Sequence, residues 1–304
     1  MLTLQGFVSP LCALLLAPLL VGIVNRTKAF IAGRRGPPLL QPYRDIGKAL
    51  RRGSVYGDVT SALVRLGPAV NLGALVTGLL LLPFAGVPAV VGFSGDLIVL
   101  VGLLALGRFA TVLAALDTGS SFEGMGASRE VHFAALAEPA LLLALATLAR
   151  VAEASSLSTI YGGVTVAAWA QALPTFALVA MTLLVLQLVE NSRIPVDDPT
   201  THLELTMIHE VMVLDHGGPD LALIQYGAAL KMWVLGTLFV GLSVPVHSGR
   251  LWLDGLAALA GMAALAAIVG LIESAMARYR LVHVPQFIVG AATLAAVGFI
   301  VLLV

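Results

Sequence analysis

Between Glu190 and Asp220 the chain places seven carboxylates, three histidines and one arginine within 31 residues. Carboxylates and imidazoles crowded together can ligate a metal, cap helices, or take up and release protons near neutral pH. His202, His209 and His216 recur every seven residues, a spacing that lines them along one face if the segment is helical. The pair His209-Glu210 is followed by Val211-Met212-Val213, so the second histidine of a His-Glu-x-x-His zinc motif is missing. No other ligand spacing closes a metal site, and no metal is expected. Two readings stay open. One is an ordered polar loop whose acids cap helices and meet Arg193. The other is a docking and proton-handling surface. In the second, Glu190, Asp197, Asp198, Glu204 and Glu210 handle protons, and Arg193, His202, His209, Asp215 and His216 face a partner.

A second set of charges lies inside long apolar runs: Arg108, Glu138, Lys231 and Glu273. A charge at mid-membrane costs several kcal/mol by the lower estimates (about 2.5–3.5), so it faces protein or water and finds a partner. The bland expectation pairs Arg108 and Lys231 with Glu138 or Glu273. The functional one is a buried polar chain running from the 190–220 loop through Glu138.

The elements that hold these residues follow from composition. Of 304 residues, 59% are hydrophobic and 11% charged, and mean hydropathy is +0.99. Soluble domains carry about 25% charged residues, so lipid is the natural solvent. Net charge is zero, and nothing in that balance points to nucleic acid. Cys12 is the single cysteine, too few for an iron–sulfur cluster or an internal disulfide. Runs of about 20 apolar residues mark membrane spans. Eight are expected, at 5–25, 61–84, 95–116, 131–151, 164–189, 221–245, 252–276 and 284–304, in one membrane domain covering 1–304. Pro174 is expected to be tolerated inside the fifth. The positive charges of the first run follow it rather than precede it, so it reads as a retained helix and not a leader.

Thirteen of the 17 Lys and Arg residues fall on one side of this arrangement, in or beside the connections 26–60, 117–130, 190–220 and 277–283. Only Arg150 and Arg250 fall on the other. The positive-inside rule then places both termini on the non-cytoplasmic side and these loops in the cytoplasm. In the first of them, Gly36-Pro37-Pro38 reads as a turn. Leu39, Tyr43, Ile46 and Leu50 then recur at helical spacing, with Arg44, Lys48, Arg51 and Arg52 mostly elsewhere on the wheel. That pattern predicts an amphipathic helix lying at the membrane surface, neutralised by anionic lipid or docking a partner, or both.

Two stretches carry a resemblance to a known family. One is Glu190-Asn191-x-Arg193-Ile194-Pro195-Val196-Asp197-Asp198-Pro199-Thr200-Thr201-His202-Leu203-Glu204-Leu205-Thr206-Met207-x-His209-Glu210. The other is Gly33-Arg34-Arg35-Gly36-Pro37-Pro38-Leu39-Leu40-Gln41-Pro42-Tyr43. Both resemble the membrane anchor subunits of formate hydrogenlyase and hydrogenase-4, a branch of the complex I subunit 1 group. Gly124-Met125-Gly126-Ala127-Ser128-Arg129-Glu130 and Ala137-Glu138-Pro139-Ala140 agree with it. The direct run from Gly36-Pro37-Pro38 into Leu39-Leu40-Gln41-Pro42, Thr200 and His202 in place of glutamates, and Gln225 before Tyr226 favour the hydrogenase branch over the respiratory one.

The resemblance implies an all-α polytopic protein of a bacterial or archaeal cytoplasmic membrane, not catalytic alone. Its implied role is to anchor hydrogenase-like large and small subunits, beside antiporter-like membrane subunits. The [NiFe] centre and iron–sulfur clusters would belong to partner subunits, with no cofactor in this chain, and the chain would link electron transfer to movement of H+ or Na+. Glu138 matches a functionally important glutamate of the wider family. Arg34, Arg35, Gln41, Tyr43, Arg44 and Arg129 join the docking candidates. The rival readings are the quinone-site subunit of a respiratory NADH dehydrogenase and a stand-alone ion transporter.

Overall fold

The computed structural model describes residues 4–198, 206–245 and 248–303. The helices, in chain order, are α1 (Val8–Ile31), α2 (Gln41–Leu50), α3 (Ala62–Leu80), α4 (Asp96–Asp117) and α5 (Ser121–Val151). They continue as α6 (Leu157–Gly162), α7 (Val166–Gln171), α8 (Leu173–Glu190), α9 (Gly218–Ser243), α10 (Leu251–Ala275) and α11 (Val284–Val301). All but α2, α6 and α7 are long and apolar enough to cross a bilayer, which makes eight spans. Such an architecture satisfies every backbone group within its own helix, as hydrocarbon requires.

α9 is the most enclosed of the eight, with Leu230, Trp233, Val234 and Leu238 buried. It packs against α1, α2, α3, α8 and α10. α3 pairs with α4, α4 with α5, and α11 lies across α5 and α8. Small residues permit the closest approaches. Gly270 of α10 meets Val24 and Thr27 of α1, where an added Cβ would sit 2.9 Å from a backbone oxygen.

The structure departs from expectation in three places. The fifth span does not begin at 164. α7 ends at Gln171, and α8 starts afresh at Leu173 with Pro174 in its first turn. Proline lacks the N–H a continuing helix needs and has its φ preset for a helix start, so it opens α8 rather than lying inside it. The connection expected at 117–130 is only the short turn between Asp117 and Ser121. The next ten residues belong to α5, whose 31 residues run about 46 Å at 1.5 Å each. That exceeds a hydrocarbon core of about 30 Å, so the first turns of α5 reach beyond the span expected at 131–151. Finally, His209 and His216 do not share a helical face. They flank a single 3-10 turn, Glu210–Val213, and His202 lies outside the described residues.

α2 forms where the alternation predicts it, with Arg44 and Lys48 exposed beside Arg51 and Arg52. The Tyr43 hydroxyl donates to the Leu15 carbonyl of α1. The turn ahead of α2 rests directly on α1: a Cβ at Gly22 would stand 2.1 Å from the Leu39 carbonyl oxygen. At the same end, Ser61 N–H donates to Asp117 at 2.7 Å and Tyr56 Oη donates to Asp220 at 2.6 Å. Tyr279 N–H donates to the Pro195 carbonyl at 2.8 Å. These contacts gather the basic segment, the α4–α5 turn, the 190–220 loop and the α10–α11 connection into one end, the basic end in that it holds the Lys and Arg bias, with carboxylates in comparable number. The opposite end is tied by Asp96, which accepts from Ser156 Oγ at 2.8 Å and Leu157 N at 2.7 Å.

The Gly22–Leu39 contact generates a prediction. Gly22→Ala forces a backbone atom aside and is expected to cost about 1–3 kcal/mol, as overpacking does. The check is a lower thermal midpoint in detergent, together with faster proteolysis within 33–52.

Candidate functional site: a buried ion-pair chain

Arg108 projects from α4 at the junction with α5 and α8, and its side chain is 8% exposed. Three carboxylates converge on it. Its Nε lies 3.0 Å from Glu130 Oε1, and one terminal nitrogen donates to Glu138. The other terminal nitrogen donates to both oxygens of Glu190, at 2.7 and 2.6 Å. Only a guanidinium offers donors in a planar fork wide enough for this. Glu190 is the last residue of α8, where the helix dipole disfavours an anion. Two cations offset that: Arg108, and Lys231 of α9, whose Nζ is 2.7 Å from Glu190 Oε2.

The chain continues out of the spans through Glu130. Its second oxygen lies 3.1 Å from His209 Nε2, and His209 Nδ1 lies 3.7 Å from Asp197 Oδ2. Asp197 Oδ1 meets Arg278 at 3.0 Å. The same buried carboxylate accepts the N–H groups of Asp198, Ile208 and His209 at 2.9, 3.0 and 3.1 Å. One aspartate therefore shapes the loop backbone and pairs with charges at once.

Both ring nitrogens of His209 face carboxylates, and the imidazolium is the form whose charge suits that position. Burial alone would lower its pKa. The Glu130 and Asp197 carboxylates beside its two ring nitrogens outweigh burial and raise it to about 9. Burial would likewise raise Asp197, but His209 and the loop N–H groups hold it below the usual aspartate value. With His209 protonated, four bases (Arg108, Lys231, His209, Arg278) balance four acids (Glu130, Glu138, Glu190, Asp197). A cavity of about 10 Å³ touches Glu130, Glu190 and His209, about the room one water needs.

A second cluster stands apart: Glu273 of α10 meets Lys28 at 2.7 Å and Arg193 at 3.4 Å. Of the residues expected to handle protons, Arg108, Glu138, Glu190, Asp197 and Lys231 thus share one network, and Glu273 does not join it. Asp198 is half-buried at the network's edge and Glu210 is exposed. Glu204, like His202, lies outside the described residues. Lys231 pairs with Glu190, not with Glu138 or Glu273, because Glu190 ends the helix that packs on α9.

Of the docking candidates, Arg34, Arg35 and Arg44 are exposed, and so is the Asp215 side chain. Gln41 donates to Asp45 at 2.8 Å. The others turn inward. Arg129 donates to the Met207 carbonyl and braces the loop, as Arg278, from outside that set, does at Thr206. Arg193 joins Glu273, and His209 belongs to the chain. His216 is buried, and burial lowers its pKa more than Asp220 and Asp215 raise it. Glu130, Arg278, Lys28 and Glu123 were not singled out by sequence reasoning. Glu130 could have been, since it precedes Glu138 by eight residues, near the same side of one helix, once α5 is extended to Ser121. Among the described residues, no three His, Cys, Asp or Glu side chains are grouped to hold a metal ion.

The sequence profile described as NADH dehydrogenase matches residues 5–304. Formate hydrogenlyase subunit 4 of Escherichia coli K12 is 34% identical over 312 aligned positions, covering all of this chain and 99% of that protein. Hydrogenase-4 component C of the same organism is 36% identical over 233, covering 76% of this chain and 72% of its own length. Among solved structures, a chain of the membrane-bound sulfane sulfur reductase, an archaeal respiratory membrane complex, superposes with a TM-score of 0.83. It covers 98% of both chains at 20% identity and shows the shared fold.

Two predictions come from this geometry. Because the folded pKa of His209 exceeds the ordinary 6.5, its stabilisation of the loop is complete below about 6.5 and is lost as pH rises through about 9. Hydrogen exchange across 206–216, corrected for intrinsic rates, should therefore accelerate over that window, and His209→Gln should remove the pH dependence. Arg108→Ala leaves three carboxylates without their shared cation and is expected to cost about 3–5 kcal/mol or more. The measurement is denaturation in detergent. Arg108→Lys should recover only part of the loss, since an ammonium cannot span all three partners.

Proposed function

The chain belongs to the NADH dehydrogenase family, of the complex I subunit 1 type, and from that premise we propose that it anchors a hydrogenase-like peripheral arm. In the same reading it couples the arm's electron transfer to ion movement in the membrane. The observation that carries the proposal is the continuous ion-pair chain from Arg278 and Asp197 in the loops, through His209 and Glu130, to Arg108, Glu138, Glu190 and Lys231 among the spans. A protein needed only as a tether has no use for eight charges placed where each is costly. A chain in which every charge has a partner can pass on a disturbance, because moving one member leaves the next uncompensated.

The 34% identical relative is a formate hydrogenlyase subunit along its whole length, which supports hydrogenase-like large and small subunits as the arm. Antiporter-like subunits would lie beside this chain. The basic end would face the cytoplasm, following the Lys and Arg bias. The arm would supply the [NiFe] and iron–sulfur redox chemistry. This chain's residues hold the charges and the proton at His209 in register with it. The pumped ion is taken to be H+, since the chain includes a proton-carrying group, His209, whose proton the facing carboxylates hold up to about pH 9.

The test uses the complex purified through this chain, reconstituted in vesicles and driven by reduced viologen. Glu138→Gln and His209→Gln are each expected to lower the protons moved per electron at least about twofold, since both remove a charge from one coupled network. Viologen oxidation should continue in both. Coupling left intact in both variants would reduce the chain to a scaffold. Proton uptake by the purified chain without partners would make it a transporter instead.

A further inference from the structure

Glu123 lies seven residues before Glu130, about two turns and 10 Å along α5. It is as deeply buried as its neighbour in the chain, at 0% exposure, yet it touches none of the eight network members through an ion pair. Its carboxylate instead accepts the backbone N–H of Asp215 at 3.0 Å. The same helix face therefore grips the loop twice: at His209 through Glu130, and six residues later at Asp215 through Glu123.

Between the two grips sits Gly126. A Cβ there would lie 2.4 Å from Val211 Cγ1, 2.9 Å from Met212 Cγ and 3.0 Å from the Ile208 carbonyl oxygen. The 3-10 turn Glu210–Val213 lies flat on the bare backbone of α5 at this point. Val211 and Met212 are buried, and Met212 packs with Val112, Ala115 and Ala127.

We propose that Glu123 and Gly126 are positioning residues that set the register of the loop on α5 and so hold His209 between Glu130 and Asp197. One contact at His209 would leave the ring free to swing about its backbone. A second grip six residues on, with the intervening turn seated against Gly126, fixes both ends of a short rigid segment. The charged groups facing His209 come from three elements: Glu130 on α5, Asp197 in the loop and Lys231 on α9. Arg108 lies beyond Glu130 and Arg278 beyond Asp197. A loop shifted along α5 by one residue would part His209 from Glu130, while Asp197, bonded to the N–H groups of Ile208 and His209, would move with the ring.

This inference rests on the coupling role proposed above, and the experiment separates the two. The reconstituted complex is assayed for protons moved per electron across pH, normalised to its own viologen turnover. Glu123→Ala, Glu123→Gln, His209→Gln and the double variant Glu123→Ala/His209→Gln are compared. Glu123→Ala is expected to lower coupling at least about twofold and to move the alkaline limb of the pH profile about one unit acidward, since His209 then loses part of its carboxylate contact. Glu123→Gln keeps an oxygen for the Asp215 N–H and should restore the profile. The double variant should fall no further than His209→Gln, because both changes act through one contact.

A wild-type profile in Glu123→Ala, or losses that add in the double variant, overturns the positioning role. Wild-type coupling in both His209→Gln and Glu138→Gln overturns the coupling reading itself. Should Glu123→Ala fail to assemble, Gly126→Ala lifts the turn off α5 with both carboxylates in place and is held to the same expectations.

Discussion

One cation among three anions governs the basic half of this protein. Arg108 is 8% exposed, and Glu130, Glu138 and Glu190 all draw on it. In a medium that solvates ions poorly, none of these carboxylates can be left to water. Each must therefore be brought to the guanidinium by its helix, Glu130 and Glu138 by α5 and Glu190 by α8. That requirement fixes the relative rotation of α4, α5 and α8, and Lys231 adds α9 by meeting the surplus charge on Glu190. The geometry is more restrictive than apolar packing, which tolerates many arrangements of similar volume.

The same accounting explains why the 190–220 loop is ordered against the spans. Three carboxylates and two cations leave a deficit of positive charge, and Glu130 still has an oxygen to satisfy. His209 supplies the charge, Asp197 orients the ring, and Arg278 neutralises Asp197. Electroneutrality is thus reached only with loop residues included. A protein whose buried charges balance only when a loop is seated has a mechanical link between loop position and membrane interior. That link is the physical basis on which redox events at the basic end could be felt among the helices.

The two ends of the molecule are built differently. The opposite end carries no comparable network among the described residues. It is held by local ties such as Asp96 to Ser156 and Ser248 Oγ to Asp254 at 2.7 Å, around a cavity of about 110 Å³ lined by Phe84, Tyr161, Val240 and Ala258 among others, with Asp254 and Thr237 at its wall. Charge concentrated at one end and apolar closure at the other suit a membrane subunit that receives its partner from one side.

Hydropathy and helical period are local properties. The eight spans, the surface helix α2 and the basic end were therefore legible in the residue order, to within a few residues for most boundaries. Arg108, Glu138 and Lys231 could be singled out because a charge in an apolar run is expensive wherever it points. Partnership was not legible. Lys231 meets Glu190, and His209 turns from a docking surface into the interior. Glu130 becomes a hub because α5 begins ten residues earlier than its apolar stretch suggests. The polar start of α5 is helical through packing against the loop, and Pro174 divides α7 from α8 through the backbone's need for a fresh start. Residue order determined which charges the membrane makes costly. Only the packing of α4, α5, α8 and α9 decided which of them compensate one another, because pairing depends on helix rotation and on contacts between residues about eighty positions apart, such as Arg108 with Glu190 and Glu130 with His209.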